Sequence, residues 1–308
     1  MFSSARGRPD ADTTQAGQCY GIGVGAPTCR SAGICLCGSG KFLYSRKHRG
    51  EFMEPGVVER IHALWDGLDA LAARDVDGAV THLAAGLAEL VGAGNAVWVA
   101  GVRMQSHDHR DPLRGWRAPL FHHLKPLPDW LLNTREIQRM WEKRRMDPSF
   151  LLGVANTGKY RCYSFRRSLP EDWFQSPYYR HYWERLGIHD VAVACCPVNA
   201  HAEVHYLFHR TDGAEPYGQG ELDALGTATR GLRWFHARLL LSHGLPVAEA
   251  PFTLAERKVL KGLLGDGTEK EIAQVCGMSP ATVHYYAGEI YRKLGVRGRA
   301  GLMSLWLQ

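Results

Sequence analysis

The residues with the clearest chemical pattern in this sequence lie near its C-terminal end, between positions 279 and 294. Apolar residues recur there at intervals of three and four, at Val283, Ala287, Ile290 and Leu294. This spacing places them on one side of an α-helix. The opposite side then carries the following polar and small residues: Ala281, His284, Tyr285, Gly288 and Arg292. Such a face is suited to contact base edges and phosphates of double-stranded DNA.

A second, shorter helix must position this face. Thr268 and Glu271 have the spacing of a capping box, which predicts a helix start. Gly277 allows a tight turn after that helix, and Ser279 with Pro280 then provides the cap and first residue of the next one. Two helices joined by a tight turn, with the second exposing a polar face, predict a helix-turn-helix. In that arrangement the second helix lies in the major groove.

Helical spacing alone also fits a three-helix bundle that binds no DNA. The wider pattern favours DNA binding, because the segment resembles the C-terminal domain of LuxR-type (GerE-like) transcriptional regulators. The resemblance is carried by these residues: Phe252, Thr253, Glu256, Val259, Leu260, Thr268, Lys270, Glu271, Ile272, Ala273, Ser279, Thr282, Val283, Ile290, Lys293, Leu294, Val296, Arg299 and Ala300. It implies a domain of four helices at residues 253–308.

The resemblance also implies roles for individual residues. The positions that it assigns to DNA contact are Thr268, Lys270, Ser279, Ala281, Thr282, His284, Tyr285, Gly288, Arg292, Lys293 and Arg297. It further implies that Glu256 pairs with Arg299 inside the domain and that the apolar last helix helps to form a homodimer.

The sequence departs from the family pattern at four of these or neighbouring positions. Ala255, Glu269 and Tyr286 stand where the family usually has Arg, Asn and His. Gly288 has no side chain, so we expect less base contact from that turn of the helix.

Charge is distributed as expected if only the end of the chain meets DNA. The net charge is +6 over 308 residues, a length that predicts about two domains. Residues 251–308 carry eight Lys and Arg against five Asp and Glu, whereas residues 53–250 carry 22 against 23. Basic surface attracts the phosphate backbone.

The cellular compartment is predicted from the absence of a membrane-spanning run and of a signal sequence. No apolar run approaches the ~20 residues that span a bilayer, and no hydrophobic signal core is present at the N-terminus. We therefore expect a cytoplasmic protein with no membrane contact and with reduced cysteines. Four of the eight cysteines crowd the first 40 residues, in a spacing that fits no common zinc pattern: Cys19, Cys29, Cys35 and Cys37. We expect no metal and no cofactor, and residues 1–52 to be a disordered tail or to precede the true start.

Residues 53–245 are predicted to form a sensor domain, joined by a linker at 246–252 to the helix-turn-helix domain at 253–308. The predicted elements are helices within 57–91, 131–145, 173–186 and 222–241, and strands at 96–102, 160–165, 191–198 and 202–210, the last two joined as a hairpin at Asn199-Ala200-His201. The fold class is therefore α+β: an N-terminal α/β sensor domain, whose sheet is covered by helices, followed by an all-α four-helix domain.

This order of elements resembles GAF or PAS-like sensor domains and the autoinducer-binding domain of LuxR-type regulators. Receptors of the latter kind hold an acyl-homoserine lactone with Tyr, Trp and Asp side chains, and the candidates here are Tyr178, Tyr182, Trp183 and Asp190. The alternative is that these aromatic residues only fill the core.

Two further groups of residues, a pair of cysteines and four histidines, are candidates for a catalytic or metal site. Cys195 and Cys196 are adjacent in a predicted strand and are interpreted as inert core rather than as catalytic thiols. The histidines at 107, 109, 122 and 123 are interpreted as solvated or strand-edge residues rather than as a metal site.

The sequence thus predicts a dimeric, sequence-specific DNA-binding transcriptional regulator controlled by a small-molecule effector, with RNA polymerase as a partner to consider. The alternatives are an acyl-homoserine lactone receptor, a module that represses by binding a protein partner, and an enzyme domain with a DNA-binding tail. No nucleophile elbow, His-Glu-x-x-His motif or P-loop occurs, so we expect no catalytic residues.

Overall fold

The computed structural model describes residues 53–104, 109–128, 143, 146–211, 213–245 and 251–307. The predictions for the tail at 1–52, for nearly all of the helix at 131–145 and for most of the linker at 246–252 lie outside these residues, as do His107 and the four N-terminal cysteines. The described residues form a mixed domain of helices and one antiparallel sheet, followed by a helical domain, which confirms the predicted fold class.

Two amphipathic helices precede the sheet, α1 (Pro55–Asp69) and α2 (Val76–Leu90). Both were predicted from apolar residues at intervals of three and four. In α1 that stripe is Ile61, Leu64 and Leu68, all of which are buried. The two helices pack against each other, and α2 also packs against β1.

The sheet has five strands: β1 (Asn95–Arg103), β2 (Trp116–His123), β3 (Arg161–Ser164), β4 (Asp190–Asn199) and β5 (Ala202–Arg210). Their order is β2-β1-β5-β4-β3, and neighbouring strands are antiparallel. The predicted hairpin joins β4 and β5, where the Asn199 side chain accepts a hydrogen bond from the His201 backbone N–H at 2.8 Å. Strand β2 was not predicted, because Pro119 and two histidines mask its pattern. It lies at an edge of the sheet, where proline is tolerated.

The two faces of the sheet differ. On one face, alternate residues of β5 (Val204, Tyr206 and Phe208) are buried in the main apolar core. This core also contains α1, α2 and two later helices, α6 (Gln219–Arg230) and α7 (Arg233–Ser242). The prediction of one continuous helix at 222–241 is therefore wrong, because the segment forms two helices. Leu232 has a non-helical backbone (φ −92°, ψ 27°) that separates α6 from α7.

The other face of the sheet packs on the aromatic segment that was predicted as one helix at 173–186. The segment is instead broken into a 3-10 turn at Glu171–Gln175, the helix α5 (Pro177–Tyr182) and a second 3-10 turn at Glu184–Leu186. The reason is Pro177, which disfavours a helical backbone at Ser176 before it. Ser176 is extended, and its side chain accepts the N–H of Tyr179.

Two more short helices flank this segment, α3 (Pro148–Val154) and α4 (Phe165–Ser168). The C-terminal domain consists of α8 (Leu254–Leu263), α9 (Glu269–Cys276), α10 (Pro280–Leu294) and α11 (Arg299–Trp306). Among the helices of the described residues, none combines the length and apolarity needed to cross a bilayer.

Candidate DNA-binding surface and sensor site

Local hydrogen bonds set the geometry between α9 and α10. Thr268 caps α9 and exchanges hydrogen bonds with Glu271, whose carboxylate accepts the Thr268 N–H at 2.7 Å. Gly277 ends α9 in the left-handed conformation (φ 66°), which glycine adopts without strain. Ser279 then caps α10 by accepting the Thr282 N–H at 3.1 Å. The sequence from Thr268 to Thr282 therefore builds the predicted helix-turn-helix.

Helix α10 buries one face and exposes the other. The buried residues are the predicted Val283, Ala287, Ile290 and Leu294. The exposed residues are Ala281, His284, Tyr285, Gly288 and Arg292. Of these, Tyr285 is 63% exposed and the His284 side chain 80% exposed. An aromatic side chain this exposed is available to a partner.

The other predicted DNA contacts surround this face, with one exception. Thr268, Lys270, Ser279 and Arg297 are exposed, and Thr282 is half-buried. The exception is Lys293, whose side chain is only 14% exposed.

Lys293 is bound inside the domain by Glu256. Its Nζ lies 2.6 Å from Glu256 Oε1, and the other carboxylate oxygen accepts the Thr253 N–H at 2.7 Å. Burial raises the pKa of Glu256, but the hydrogen bonds from Lys293 and Thr253 outweigh it, so the pKa is lowered overall. The predicted pairing of Glu256 with Arg299 is therefore wrong.

Arg299 binds backbone carbonyls instead. It donates to Leu263 at 2.8 Å and Gly267 at 2.7 Å, and also to Gly262 and Gly265. These carbonyls lie at the end of α8 and in the turn after it, where helix carbonyls have no partner within the helix. Arg299 has a structural role, as expected, but through different partners.

The last helix, α11, packs within the chain. Leu302 is fully buried and Trp306 is 2% exposed. The carbonyl of Trp306 accepts a hydrogen bond from Arg238 of α7 at 3.2 Å. The apolar surface that was expected to form a homodimer is thus largely covered in this arrangement.

Ion pairs join the DNA-binding domain to α2 of the sensor domain. Arg257 lies 2.5 Å from Asp77, and Lys261 lies 2.5 Å from Asp75. Arg257 also donates to the carbonyl of Ser242 at the end of α7. The start of α2 and the end of α7 therefore contact the first helix of the DNA-binding domain.

The four residues predicted to bind a ligand are only partly brought together. The rings of Tyr178 and Tyr182 lie 4.7 Å apart, and Trp183 lies 5.5 Å from Phe165 in the same aromatic cluster. Asp190 is separate in function, because its carboxylate accepts three backbone N–H groups that fix the start of β4: those of Arg166, Val191 and Tyr217. A ligand role for these residues stays a prediction.

Trp183 has one property that fits such a role. Its Nε1 is buried and has no hydrogen-bond partner among the described residues. Its ring also packs edge-on against His209 of β5 at 5.8 Å. Buried donors are normally paired.

Sequence reasoning missed a set of polar residues on the same face of the sheet. Glu203, His205 and His209 lie on one face of β5, with Leu207 between the two histidines, and Arg161 lies on β3. This alternation was a usable signal, since it places polar side chains on one face of a strand whose other face is apolar. His122 and His123 lie on the edge strand β2, as interpreted.

The caps, the turn and the half-exposed α10 together define a helix-turn-helix of the DNA-binding class. Residues 250–306 match the family model described as bacterial regulatory proteins, luxR family. The C-terminal domain of this chain is a LuxR-family helix-turn-helix domain, which confirms the resemblance in its sequence and the expectation of a DNA-binding regulator.

The solved structures similar to this chain cover 60–82% of it and share little sequence with it. SdiA in complex with octanoyl-rac-glycerol is 15% identical, with a TM-score of 0.40 over 82% of this chain and 94% of that one. Escherichia coli SdiA in another crystal is 13% identical, with a TM-score of 0.36 over 80% and 95%. The VqsR LBD domain from Pseudomonas aeruginosa is 17% identical, with a TM-score of 0.33 over 60% and 94%. No sequence among curated proteins matches this chain significantly.

Proposed function

We propose that this protein is a sequence-specific transcriptional regulator in which α10 enters the major groove and residues 53–245 sense a small molecule. The observation that carries the proposal is the exposed face of α10, presented by a LuxR-family helix-turn-helix with every cap in place. We assign no enzymatic activity to it.

The proposed contacts fall into two kinds. His284 and Tyr285 lie in the first turns of α10, where side chains reach base edges. Lys270 and Arg297 are exposed cations at the border of the same surface, suited to phosphates. Hydroxyls and small residues complete the surface: Thr268, Ser279, Thr282, Ala281 and Gly288. Arg292 and Lys293 each bind a neighbouring carboxylate, so we assign them a secondary part in DNA contact.

A homodimer is part of the proposal. A single α10 reads only a few base pairs, and two copies bound to two half-sites give the affinity that regulators need. Because Leu302 and Trp306 are covered in this arrangement, a dimer formed through α11 requires that helix to move from the sensor domain. Contact with RNA polymerase would follow if the protein activates transcription.

The signal is proposed to act through the contacts between the two domains. A ligand changes DNA binding only if it favours one arrangement of the domains over another. The ion pairs Arg257–Asp77 and Lys261–Asp75 hold the present arrangement of the domains, and a change to another arrangement would break them.

The proposed ligand site is the aromatic cluster around Trp183. An apolar site with few polar groups is the usual form of a small-molecule pocket. The unpartnered Nε1 of Trp183 would donate to a carbonyl oxygen of the ligand. An acyl-homoserine lactone has such carbonyls, which makes a quorum-sensing receptor the specific alternative.

DNA binding is tested by titrating a selected duplex with the intact protein over a range of salt concentrations. Lys270→Ala should weaken binding and reduce the salt slope by about one. The matched control is Lys159→Ala, which removes the same charge from an exposed site in the sensor domain. Equal effects of the two variants would contradict the assigned surface.

Ligand control is tested by the melting temperature of the intact protein with and without acyl-homoserine lactones of several chain lengths. A raised melting temperature in the wild type, but a smaller rise in Trp183→Phe, would support the Trp183 donor. The same rise in both proteins would remove Trp183 from the site.

A further inference from the structure

A buried charged cluster lies on the face of the sheet that packs on the aromatic segment. Glu203 of β5 is 0% exposed. One of its carboxylate oxygens lies 2.8 Å from Arg161 Nη2 of β3 and 2.9 Å from His205 Nε2. The other oxygen accepts the backbone N–H of Gly158. We call Arg161, Glu203, His205 and Cys195 the Glu203 cluster.

Strand register places the sulfur of Cys195 between the two cations of this cluster. Cys195 on β4 pairs directly with His205 on β5 and with Arg161 on β3. Directly paired residues share one face of an antiparallel sheet and lie about 5 Å apart. Cys195 is therefore flanked by an imidazole on one side and a guanidinium on the other.

The groups around Cys195 shift one another's pKa values. Burial lowers the pKa of His205, but Cys195 and Glu203 outweigh it and raise the pKa to about 9. Burial raises the pKa of Glu203, but the hydrogen bonds from His205 and Arg161 lower it overall to about 2. A guanidinium and an imidazole, both bound by Glu203, therefore lie beside Cys195, where they can stabilise negative charge that develops on its sulfur during a reaction.

We infer that the sulfur of Cys195, paired across the strands with Arg161 and His205, is oxidised by hydroperoxides to a sulfenic acid. This reverses the interpretation of Cys195 as inert core and gives the sensor domain an input that is independent of the proposed ligand.

The reaction balances with the groups present. The sulfur of Cys195 attacks one oxygen of hydrogen peroxide, an S–O bond forms and the O–O bond breaks. Sulfur is oxidised by two electrons, and the peroxide is reduced. The leaving hydroxide takes a proton from the His205 imidazolium and departs as water, and the imidazole takes up the proton of the thiol in exchange. Glu203 orients the imidazole throughout, as the third group does in a nucleophile–base–orienter arrangement.

The surroundings of Cys195 admit only a small oxidant and favour a sulfenic acid, rather than a disulfide, as the product. Cys195 has no exposed surface, so a reagent must be about the size of hydrogen peroxide to reach it. Cys196 and Cys162 face the opposite side of the sheet, in the main apolar core. Among the described residues, no second thiol shares the face of Cys195 to form a disulfide with it.

Cys196 is a matched control within the same strand. It is adjacent in sequence and also buried, but it lies among apolar side chains with no cation paired across the strands. Burial, as the main cause, raises the pKa of the Cys196 thiol well above its usual value. Thiols are inert in such surroundings.

The test exposes the intact, reduced protein to hydrogen peroxide for increasing times and stops the reaction with catalase. The protein is then unfolded in dimedone, which traps sulfenic acids, and mass spectrometry follows the peptide around positions 195 and 196. Cys196→Ser leaves Cys195 alone in that peptide, and Cys195→Ser leaves Cys196 alone. We expect the sulfenic acid to form at least about tenfold faster in the Cys196→Ser protein than in the Cys195→Ser protein. Similar rates, or a sulfenic acid in neither protein, would overturn the inference.

A second measurement tests the positioning residues. His205→Asn and Arg161→Lys should slow the labelling of Cys195 about tenfold and about twofold, in proteins whose far-UV circular dichroism matches the wild type. Dithiothreitol added before dimedone should reduce the sulfenic acid back to the thiol and abolish the labelling. A rate unchanged by His205→Asn would show that the imidazole takes no part.

Discussion

The protein has two polar surfaces that differ in how their charges are satisfied. On the exposed face of α10, His284 and Arg292 lie in solvent beside the carboxylates of Glu269 and Glu289. On the sheet, Glu203 is enclosed and bound by Arg161, His205 and a backbone N–H. Exposed charges cost little and stay available to a partner. Enclosed charges must compensate one another, so each depends on the rest of its cluster.

The largest expected effect is the loss of an enclosed charge. Glu203→Gln leaves Arg161 and His205 buried without their anion, so the free energy of unfolding should fall by about 3–5 kcal/mol. Urea denaturation of the intact protein measures it. The control is Glu289→Gln, which removes an exposed carboxylate paired with Arg292 on α10 and should change stability little. Equal losses in the two variants would contradict the contrast between the surfaces.

The next effect is a dependence of stability on pH that has opposite signs for two histidines. The pKa of His205 is raised to about 9, so its contribution is complete below about pH 6.5 and is lost as the pH rises through about 9. This loss should reach up to about 3 kcal/mol.

His236 behaves in the opposite way. Burial lowers its pKa to about 3, so it stays neutral in the folded protein while the unfolded chain takes up a proton below about pH 6.5. Stability is then lost as the pH falls toward 3. Chemical denaturation from acid to alkaline pH should show a maximum between these limits, and His205→Gln should remove most of the alkaline decline. An unchanged alkaline decline in His205→Gln would show that the positive charge of His205 does not stabilise the Glu203 cluster.

A third effect separates two lysines of the DNA-binding domain. Lys293→Ala leaves Glu256 buried without its cation, so the free energy of unfolding should fall by about 1–3 kcal/mol. Lys270→Ala should leave stability unchanged, because this lysine is exposed at the start of α9. Denaturation of both variants, beside their DNA affinities, tests this division. A stable Lys293→Ala protein that has lost DNA affinity would restore Lys293 as a DNA contact.

The smallest effect concerns Gly288 on the exposed face. A Cβ added there would meet nothing within 4 Å, so Gly288→Ala should raise the free energy of unfolding by about 0.5–1 kcal/mol. In the control, Gly262→Ala, the new Cβ would lie 2.8 Å from the side chain of Ile272 and should destabilise the domain. If Gly288→Ala also weakens DNA binding, the helix backbone approaches DNA closely at this position.

The DNA-binding domain could be predicted from sequence because its signals are local. Thr268 with Glu271, and Ser279 with Thr282, are three residues apart, and each pair fixes a helix start. Even here the pairing of Glu256 was mistaken. Its partner, Lys293, is set by how α8 and α10 pack, whereas the resemblance implied Arg299.

The sheet could be predicted only in part. The strands β1, β3, β4 and β5 were predicted, but β2 was not, and the break between α6 and α7 falls at Leu232. The Glu203 cluster needs the register of β3, β4 and β5, which pairs Arg161 with Cys195, 34 positions away, and Cys195 with His205, 10 positions away. No local spacing encodes that register, so Cys195 could not be distinguished from Cys196 by sequence alone.

Selection of duplexes from a random DNA pool by the intact protein tests the central claim most directly. It is run with the wild type, with Tyr285→Ala, and with Asp75→Asn/Asp77→Asn, which lacks both ion pairs between the domains. The account predicts an enriched sequence with two-fold symmetry from the wild type or the ion-pair variant, and a changed preference at positions within each half-site for Tyr285→Ala. No enriched sequence from any of the three proteins, or the same sequence with and without Tyr285, would contradict recognition of DNA by the exposed face of α10.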